Sequence, residues 1–445
     1  MPPKVIVVGG GIAGLAAAQA LRARGCEAQV LEAGERFGGR AIGGERDGFR
    51  WDSAAHALSS RDAQMADLVG AAGLAGDLLP LRPERLFQVS GADVRAIDPA
   101  RTLGIARIPG VRILDALRLR RLPRLIAKFQ ALLDPGDPLA ATRLDDRSTA
   151  DFVRLYFGAT ALGHWAAPLL EADLLCDPAE TSRLLFLLHH LTRHEAPVGV
   201  LRGGLDRLAA ALAAPGDRTD TRVVSVDRVR GGFEVHATGA AGEEVIEADG
   251  VVLATPADKL IPMAGPLLSH AERGCFEEAR TLPAIVLVAG LEGSFAVKAS
   301  RYRFRPDERR AVASLAVEPG GTGEAPAPEG CERAVLIARA DWSAEHLGAP
   351  DDAVLKTLLG SLGRVLPGST QALRFTELLR FERALPHFPV GRYRALARLA
   401  RVEADQLARG RHLVFAGDHR VAPTLEGAAQ SGLDASRALA GALGL

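Results

Sequence analysis

Val5–Val8 is a short run of apolar β-branched residues that ends at Gly9, and from Ile12 to about Arg24 the chain stays apolar over a helical length. The first pattern predicts a buried strand and the second a helix. Cys26–Leu31 is a second predicted strand, ending on the acid Glu32. The pattern returns far downstream. Asp249–Thr255 (DGVVLAT) is an apolar run stopped by Pro256, and 410–418 (GRHLVFAGD) is another that ends in Gly-Asp. A helix is predicted over 424–443, with Leu425, Leu433 and Leu439 among its apolar residues. Residues 221–255 alternate strand and turn, with predicted strands at Arg222–Val229, Phe233–Ala237 and Glu244–Ala248. The Pro/Gly-rich stretch Glu318–Gly330 reads as an exposed loop.

The turn after the first strand carries Gly9, Gly11 and Gly14 in G-x-G-x-x-G spacing. The first glycine permits the tight turn, the second lets backbone approach a pyrophosphate, and the third lets helix pack on strand. The helix beginning at Ile12 and Ala13 aims its partial positive charge and free N–H groups at that pyrophosphate. Glu32, followed by Ala33, stands roughly 20 residues beyond the glycines, where a carboxylate accepts hydrogen bonds from ribose hydroxyls. Strand, turn, helix and acid together predict a dinucleotide site on a Rossmann-like sheet. A contiguous nucleotide domain would be complete within about 150 residues. Here the pieces lie at the beginning, middle and end, so the domain is discontinuous. The predicted division is 1–70, 199–257 and 401–445 for the nucleotide domain, and 71–198 and 258–400 for a second, substrate domain of mixed sheet and helices.

The 445 residues suffice for two domains and a large core. Lys+Arg and Asp+Glu are both 54, which offers nothing for a nucleic-acid partner. Cys26, Cys176, Cys275 and Cys331 are scattered, without CxxC spacing or a nearby histidine in ligand spacing. They predict a reducing compartment and neither a disulfide framework nor a metal site. MPPKVIVV leads directly into the first strand, so no signal peptide is expected, and no run is apolar enough to span a bilayer. The expected location is cytoplasmic.

Four blocks in order carry a wider resemblance. They are VIVVGGGIAGLAAAQAL with VLEAGERFGGR, DGFRWDSAAHAL (47–58), LRGGLDRLAAAL (201–212) with RVVSVDRV and ADGVVLATPA, and LVFAGDHRVAPTLEGAAQSGLDAS (413–436). The chain resembles the flavoprotein superfamily that includes protoporphyrinogen oxidase, monoamine and polyamine oxidases, and phytoene-type desaturases. The resemblance implies FAD. It places Gly9, Gly11 and Gly14 on the pyrophosphate and Glu32 on the adenosine ribose. Gly38, Gly39 and Arg40 would form a second turn beside the pyrophosphate, where a guanidinium can bridge phosphate oxygens. Val224 would meet adenine through its backbone, and Gly417 and Asp418 the ribityl and pyrophosphate. Thr424 and Leu425 would start a helix whose N-terminus faces the flavin, where its positive end stabilises an anionic reduced ring. Glu426 reads only as a first-turn helix acid.

The chain also departs from the amine-oxidase members, which carry a lysine on a substrate-domain strand. The matching segment LPAIVLVAGLEG (282–293) has none. Thr424 stands where those members place one of two tyrosines, and no cysteine follows Cys331 to hold flavin covalently. HWAAPLLEADLLCDPAETSRLLF (164–186) and RFERALPHFPVGR (380–392) look more like the protoporphyrinogen-oxidase and desaturase branch. The expectation is non-covalent FAD and removal of hydride from a largely apolar small molecule, with O2 or a quinone as acceptor. The alternatives are an amine oxidase, a flavin-dependent isomerase of a polyene-like substrate, and a non-catalytic flavin binder. Candidate catalytic side chains are His56 and His387. Arg383, Phe381 and Phe388 read as an exposed cation and packing aromatics. The stretch 111–133 carries Arg112, Arg118, Arg120, Arg121, Arg124 and Lys128 among many leucines, with Asp115 as its one acid. It predicts a basic amphipathic helix kinked at Pro123, a candidate for peripheral membrane contact.

Overall fold

Strands from three distant parts of the chain make one parallel sheet. Their order is Leu413–Phe415, Gly250–Leu253, Lys4–Val8, Glu27–Leu31, and every neighbouring pair runs parallel. The computed structural model describes residues 1–52, 57–59, 62–80, 85–98, 101–194, 198–296, 299–305, 311–321 and 325–445. Successive side chains of a strand point to opposite faces, so the sheet feeds two cores. Val5, Val7, Val252 and Val414 pack under the helices Ile12–Ala23 and Leu425–Ala442. Ile6, Val8, Val251, Leu253 and Phe415 face the opposite core. The two helices cross closely: a Cβ on Gly432 would lie 2.2 Å from the Ala13 carbonyl oxygen. The fold is therefore α/β, as the pattern predicts.

The strands Arg222–Val229, Gly232–Gly239 and Gly242–Ala248 form an antiparallel meander. A seven-stranded mixed sheet carries most of the remaining β-structure, with the long antiparallel pair Thr281–Glu292 and Leu373–Pro386 at one edge; a two-stranded and a further three-stranded sheet complete it. Ile285, Leu287 and Ala289 face the helix Asp351–Val365 through Val354, Leu358 and Leu362. Val286 and Val288 face Phe49, Trp51 and Phe375. Beyond this sheet lie the helices Thr149–Phe157, Ala167–Leu174 and Arg183–His194. The first and third are joined through Phe157 and Phe186, which both meet Trp165, just before the second. Asp173 ties this layer to the sheet, meeting Arg303 Nη2 and His189 Nε2 at 3.0 Å each. Burial alone would raise the Asp173 carboxyl, but Arg303 and His189 outweigh it and hold it well below the usual carboxylate range.

Two sequence readings are corrected. Residues 111–133 are not one kinked helix. Pro123 sits in the first turn of a new helix, Leu122–Phe129, after a separate helix, Ile113–Leu119, because proline's missing N–H costs nothing there. Nor is Glu318–Gly330 simply an exposed loop. Val312–Pro319 is a strand, Ala327 is buried, and Pro326 accepts a hydrogen bond from the Arg50 amide at 3.0 Å.

Candidate functional site

The first glycine turn is shaped by close backbone approach. Gly9 has φ +104°, and its amide donates to the Leu31 carbonyl at 2.9 Å. A Cβ on Gly14 would lie 1.9 Å from the Gly9 carbonyl oxygen, so only glycine fits. Gly11 differs. A Cβ there meets no protein atom within 4 Å. Gly11 precedes the helix Ile12–Ala23, whose N-terminus has no side-chain cap. The first-turn amides of Ile12 and Ala13 lack intrahelical partners and lie beside that open space.

The second turn stands directly on the first. The Gly38 amide donates to the Gly10 carbonyl at 2.8 Å, and a Cβ on Gly39 would come within 3.2 Å of Gly11 Cα. Glu32 braces both ends: its carboxylate accepts from the Gly10 amide at 2.6 Å and the Gly34 amide at 2.8 Å. Its backbone pairs with Arg218 and Thr221, which lead into the strand Arg222–Val229. Ala33 is exposed at this edge. Val224 is skipped by the ladder where the register shifts between Val223 and Ser225, and it is 56% exposed. Two further links bind the quoted sequence blocks together. Asp52 Oδ1 accepts from the Leu205 amide at 3.0 Å, and Asp206 accepts from the Gly43 amide.

The end of the chain closes the site. Arg40 grips Asp418 with both arms, Nη2 to Oδ1 and Nη1 to Oδ2 at 2.8 Å each, and donates to the Ala384 carbonyl at 2.9 Å. The sequence reading aims this guanidinium at phosphate. In the fold its fork engages a carboxylate, and it clamps the second glycine turn to the end of the third sheet segment. Gly417, at φ +143°, donates its amide to Ser431 Oγ at 2.9 Å. Thr424 caps the helix Leu425–Ala442 by accepting from the Gly427 amide at 2.9 Å, and Leu425 is half-buried beside the first helix. Next to Arg40 lies an apolar cluster of Leu175, Ala284, Ala313 and Ala384, packed against Leu282, Ile337 and Phe381.

Three side chains escape the sequence reading. Thr255, against Gly9, has a buried hydroxyl with no partner. His419 is buried, and its Nε2 has no partner. Burial first, then the neighbouring Arg420, Arg392 and Arg40, pull its pKa well below the ordinary imidazole value, so it is neutral. Both follow strand ends that the apolar pattern marks, yet nothing local distinguishes them from ordinary loop residues. Glu426 is the third. It does not merely start its own helix but caps another, accepting from the Gln64 and Met65 amides at 3.0 and 2.9 Å.

His387 lies just past the strand Leu373–Pro386, buried near Arg280, Glu180 and Asp177. Burial chiefly lowers its pKa. His56 lies outside the described residues.

Burial pushes the Glu426 carboxyl up to about 7, against the pull of the two amides and with help from Asp62 and Asp67. A carboxyl raised in the folded state holds a proton that the unfolded chain releases. Its contribution to stability is full below the unfolded value and is lost as pH rises through the folded one. Wild-type protein should therefore lose more unfolding free energy than Glu426→Gln between about pH 5 and about pH 8, by up to about 3 kcal/mol, and its melting temperature should fall more over that range. Parallel melting curves for the two across that range would show that Glu426 does not titrate there.

The donor set suits an elongated, doubly anionic linker. Two adjacent glycine turns border open space at Gly11, an uncapped helix N-terminus faces it, and an unpartnered hydroxyl stands at Gly9. FAD has such a linker. Residues 12–440 match the sequence pattern of the family described as flavin containing amine oxidoreductase. A Mycobacterium tuberculosis protein named as a flavin-containing monoamine oxidase is 29% identical over 241 residues, 54% of this chain and 48% of that protein. Mitochondrial protoporphyrinogen oxidase of Nicotiana tabacum is 34% identical over 191 residues, 42% of this chain and 34% of that enzyme. The chain thus matches about half or less of the length of these relatives. A solved structure named as a protoporphyrinogen oxidase of Exiguobacterium superposes with TM-score 0.76 at 19% identity, covering 99% of both chains.

The fold and the double glycine turn define the class of dinucleotide-binding proteins. Within that class, the chain belongs to the flavin-containing amine oxidoreductase family.

Proposed function

We propose that this protein is an FAD-dependent oxidoreductase that removes hydride from a largely apolar small molecule, with non-covalently bound FAD and O2 or a quinone as the final acceptor. One observation carries the choice of substrate class. The strand Thr281–Glu292 contributes Ala284 to an apolar cluster beside Arg40, and no lysine occurs anywhere in that strand. A polar or cationic substrate would lose its hydration there without gaining a partner.

FAD, when bound, supplies the redox chemistry. The chain's own residues bind and orient. Gly9, Gly11, Gly14 and the amides of Ile12 and Ala13 receive the pyrophosphate, Glu32 the ribose and Val224 the adenine. Gly38 and Gly39 line the same channel, while Arg40 with Asp418 locks its two halves. Thr424 and Leu425 present a helix N-terminus to the ring. Leu175, Ala284 and Ala384 exclude water from the face where substrate sits.

Two measurements test the reading. Acid precipitation should release all the flavin to the supernatant as FAD; flavin left in the pellet would mean a covalent link. Anaerobic mixing with porphyrinogens, polyenes, acyl chains and amines should bleach the flavin only with apolar compounds. Bleaching by an amine alone would move the assignment to the amine oxidases named among its relatives, and conversion only after prereduction would make it an isomerase.

A further inference from the structure

The helix Ile113–Leu119 is inserted with its apolar side outward. Ile113, Leu114 and Leu117 are 80%, 70% and 54% exposed, and their spacing puts them on one helical face. Leu103, 61% exposed, extends this surface from the adjoining helix Thr102–Ala106. The one acid of the segment, Asp115, points inward instead. It accepts from the Thr160 amide at 3.1 Å and the Thr160 hydroxyl at 2.6 Å, and pairs with Arg118 at 3.1 Å. Gly158, at φ +97°, leaves the room this carboxylate needs, since a Cβ there would lie 1.9 Å from Asp115 Oδ1. A helix held by its polar residue cannot roll its leucines into the core. The apolar face is thus built outward rather than left over.

The segment's basic residues Arg112, Arg118, Arg120, Arg121, Arg124 and Lys128 are all exposed, while its one acid is turned inward. The following helix, Leu122–Phe129, lines a cavity of about 590 Å³ with Leu122, Pro123, Ile126 and Ala127, and its wall mixes Leu133 and Leu191 with the polar Thr102, Asp134 and His190. No described helix is long and apolar enough to cross a membrane.

We propose that this face docks on an anionic lipid bilayer. Leu103, Ile113, Leu114 and Leu117 enter the acyl boundary, and the arginines meet anionic headgroups. Aliphatic side chains ringed by cations complement a surface that is apolar beneath and negative above. A solvated face of this kind would otherwise expose a contiguous apolar patch. The adjoining cavity then opens at the depth where apolar solutes partition. The inference concerns location and does not depend on which molecule is oxidised.

The test uses the full flavoprotein with vesicles of phosphatidylcholine alone or mixed with phosphatidylglycerol. Wild type should sediment with the anionic vesicles and dissociate in high salt. The variant Ile113→Ser/Leu114→Ser/Leu117→Ser should bind at least about tenfold more weakly, with unchanged flavin spectrum and melting temperature. Arg120→Glu/Arg121→Glu/Arg124→Glu should lose binding similarly. Failure of wild type to sediment with anionic vesicles overturns the proposal, as does equal binding by the serine variant. Self-association in sedimentation velocity that the serine variant abolishes, without vesicle binding, assigns the face to a second copy and also overturns it.

Discussion

Gly11→Val should give a folded protein that no longer binds flavin. The added side chain starts in open space, since its Cβ has nothing within 4 Å, and the backbone at φ −72° is open to any residue. Valine would instead fill the space that the uncapped helix N-terminus faces. Losing two charge-assisted amide contacts to a phosphate weakens binding by about a hundredfold or more. Gly14→Val is the informative control. Its Cβ would lie 1.9 Å from the Gly9 carbonyl oxygen, so it should cost about 3 kcal/mol or more in stability by overpacking. Flavin content after gel filtration and circular dichroism separate the two. Gly11→Val protein that keeps its flavin would remove the pyrophosphate from this turn.

The second large effect lies away from the site. Arg411→Met should destabilise the protein by about 3–5 kcal/mol, because it strands a buried carboxylate. Arg411 and Glu272 have side chains 4% and 0% exposed and grip each other directly. Arg411 also donates to the Leu267 carbonyl at 2.9 Å. Glu272 closes the capping box of the helix His270–Glu277 with Ser269. Burial would raise its carboxyl, but Arg411 and Ser269 outweigh that and hold it below its ordinary value. For a chain of 445 residues the expected fall in melting temperature is roughly 3–5 °C. Adding Glu272→Gln should recover part of the loss, since the stranded charge is then gone. A single variant that melts like wild type would mean that water reaches the pair.

Much of the nucleotide half is legible in the sequence. The strands Lys4–Val8, Gly250–Leu253 and Leu413–Phe415 stand out because parallel strands buried on both faces must be apolar throughout. The meander at 222–248 declares itself by alternation and glycine turns. The half built on the seven-stranded sheet and its helices is harder to read. Helices such as Ala167–Leu174, apolar on most sides, give no periodic signal when buried all round. The segment 111–133 misleads for the opposite reason, since amphipathic spacing does not say which face turns inward. That depends on Thr160 and Gly158, some forty residues away, which receive Asp115.

The sequence by itself determined where backbone must pass close to backbone, because a position such as Gly14 admits only one residue type. It also determined which strands are buried, and through four ordered blocks the family. Tertiary structure alone decided the partners. Arg40 meets Asp418 across 378 residues, Glu426 caps a helix 361 residues upstream, and burial, with Arg420, Arg392 and Arg40 beside it, lowers the pKa of His419. Local constraints on φ and packing leave a mark at their own positions. A contact between distant side chains imposes no spacing, so it appears only when folding brings its two halves together.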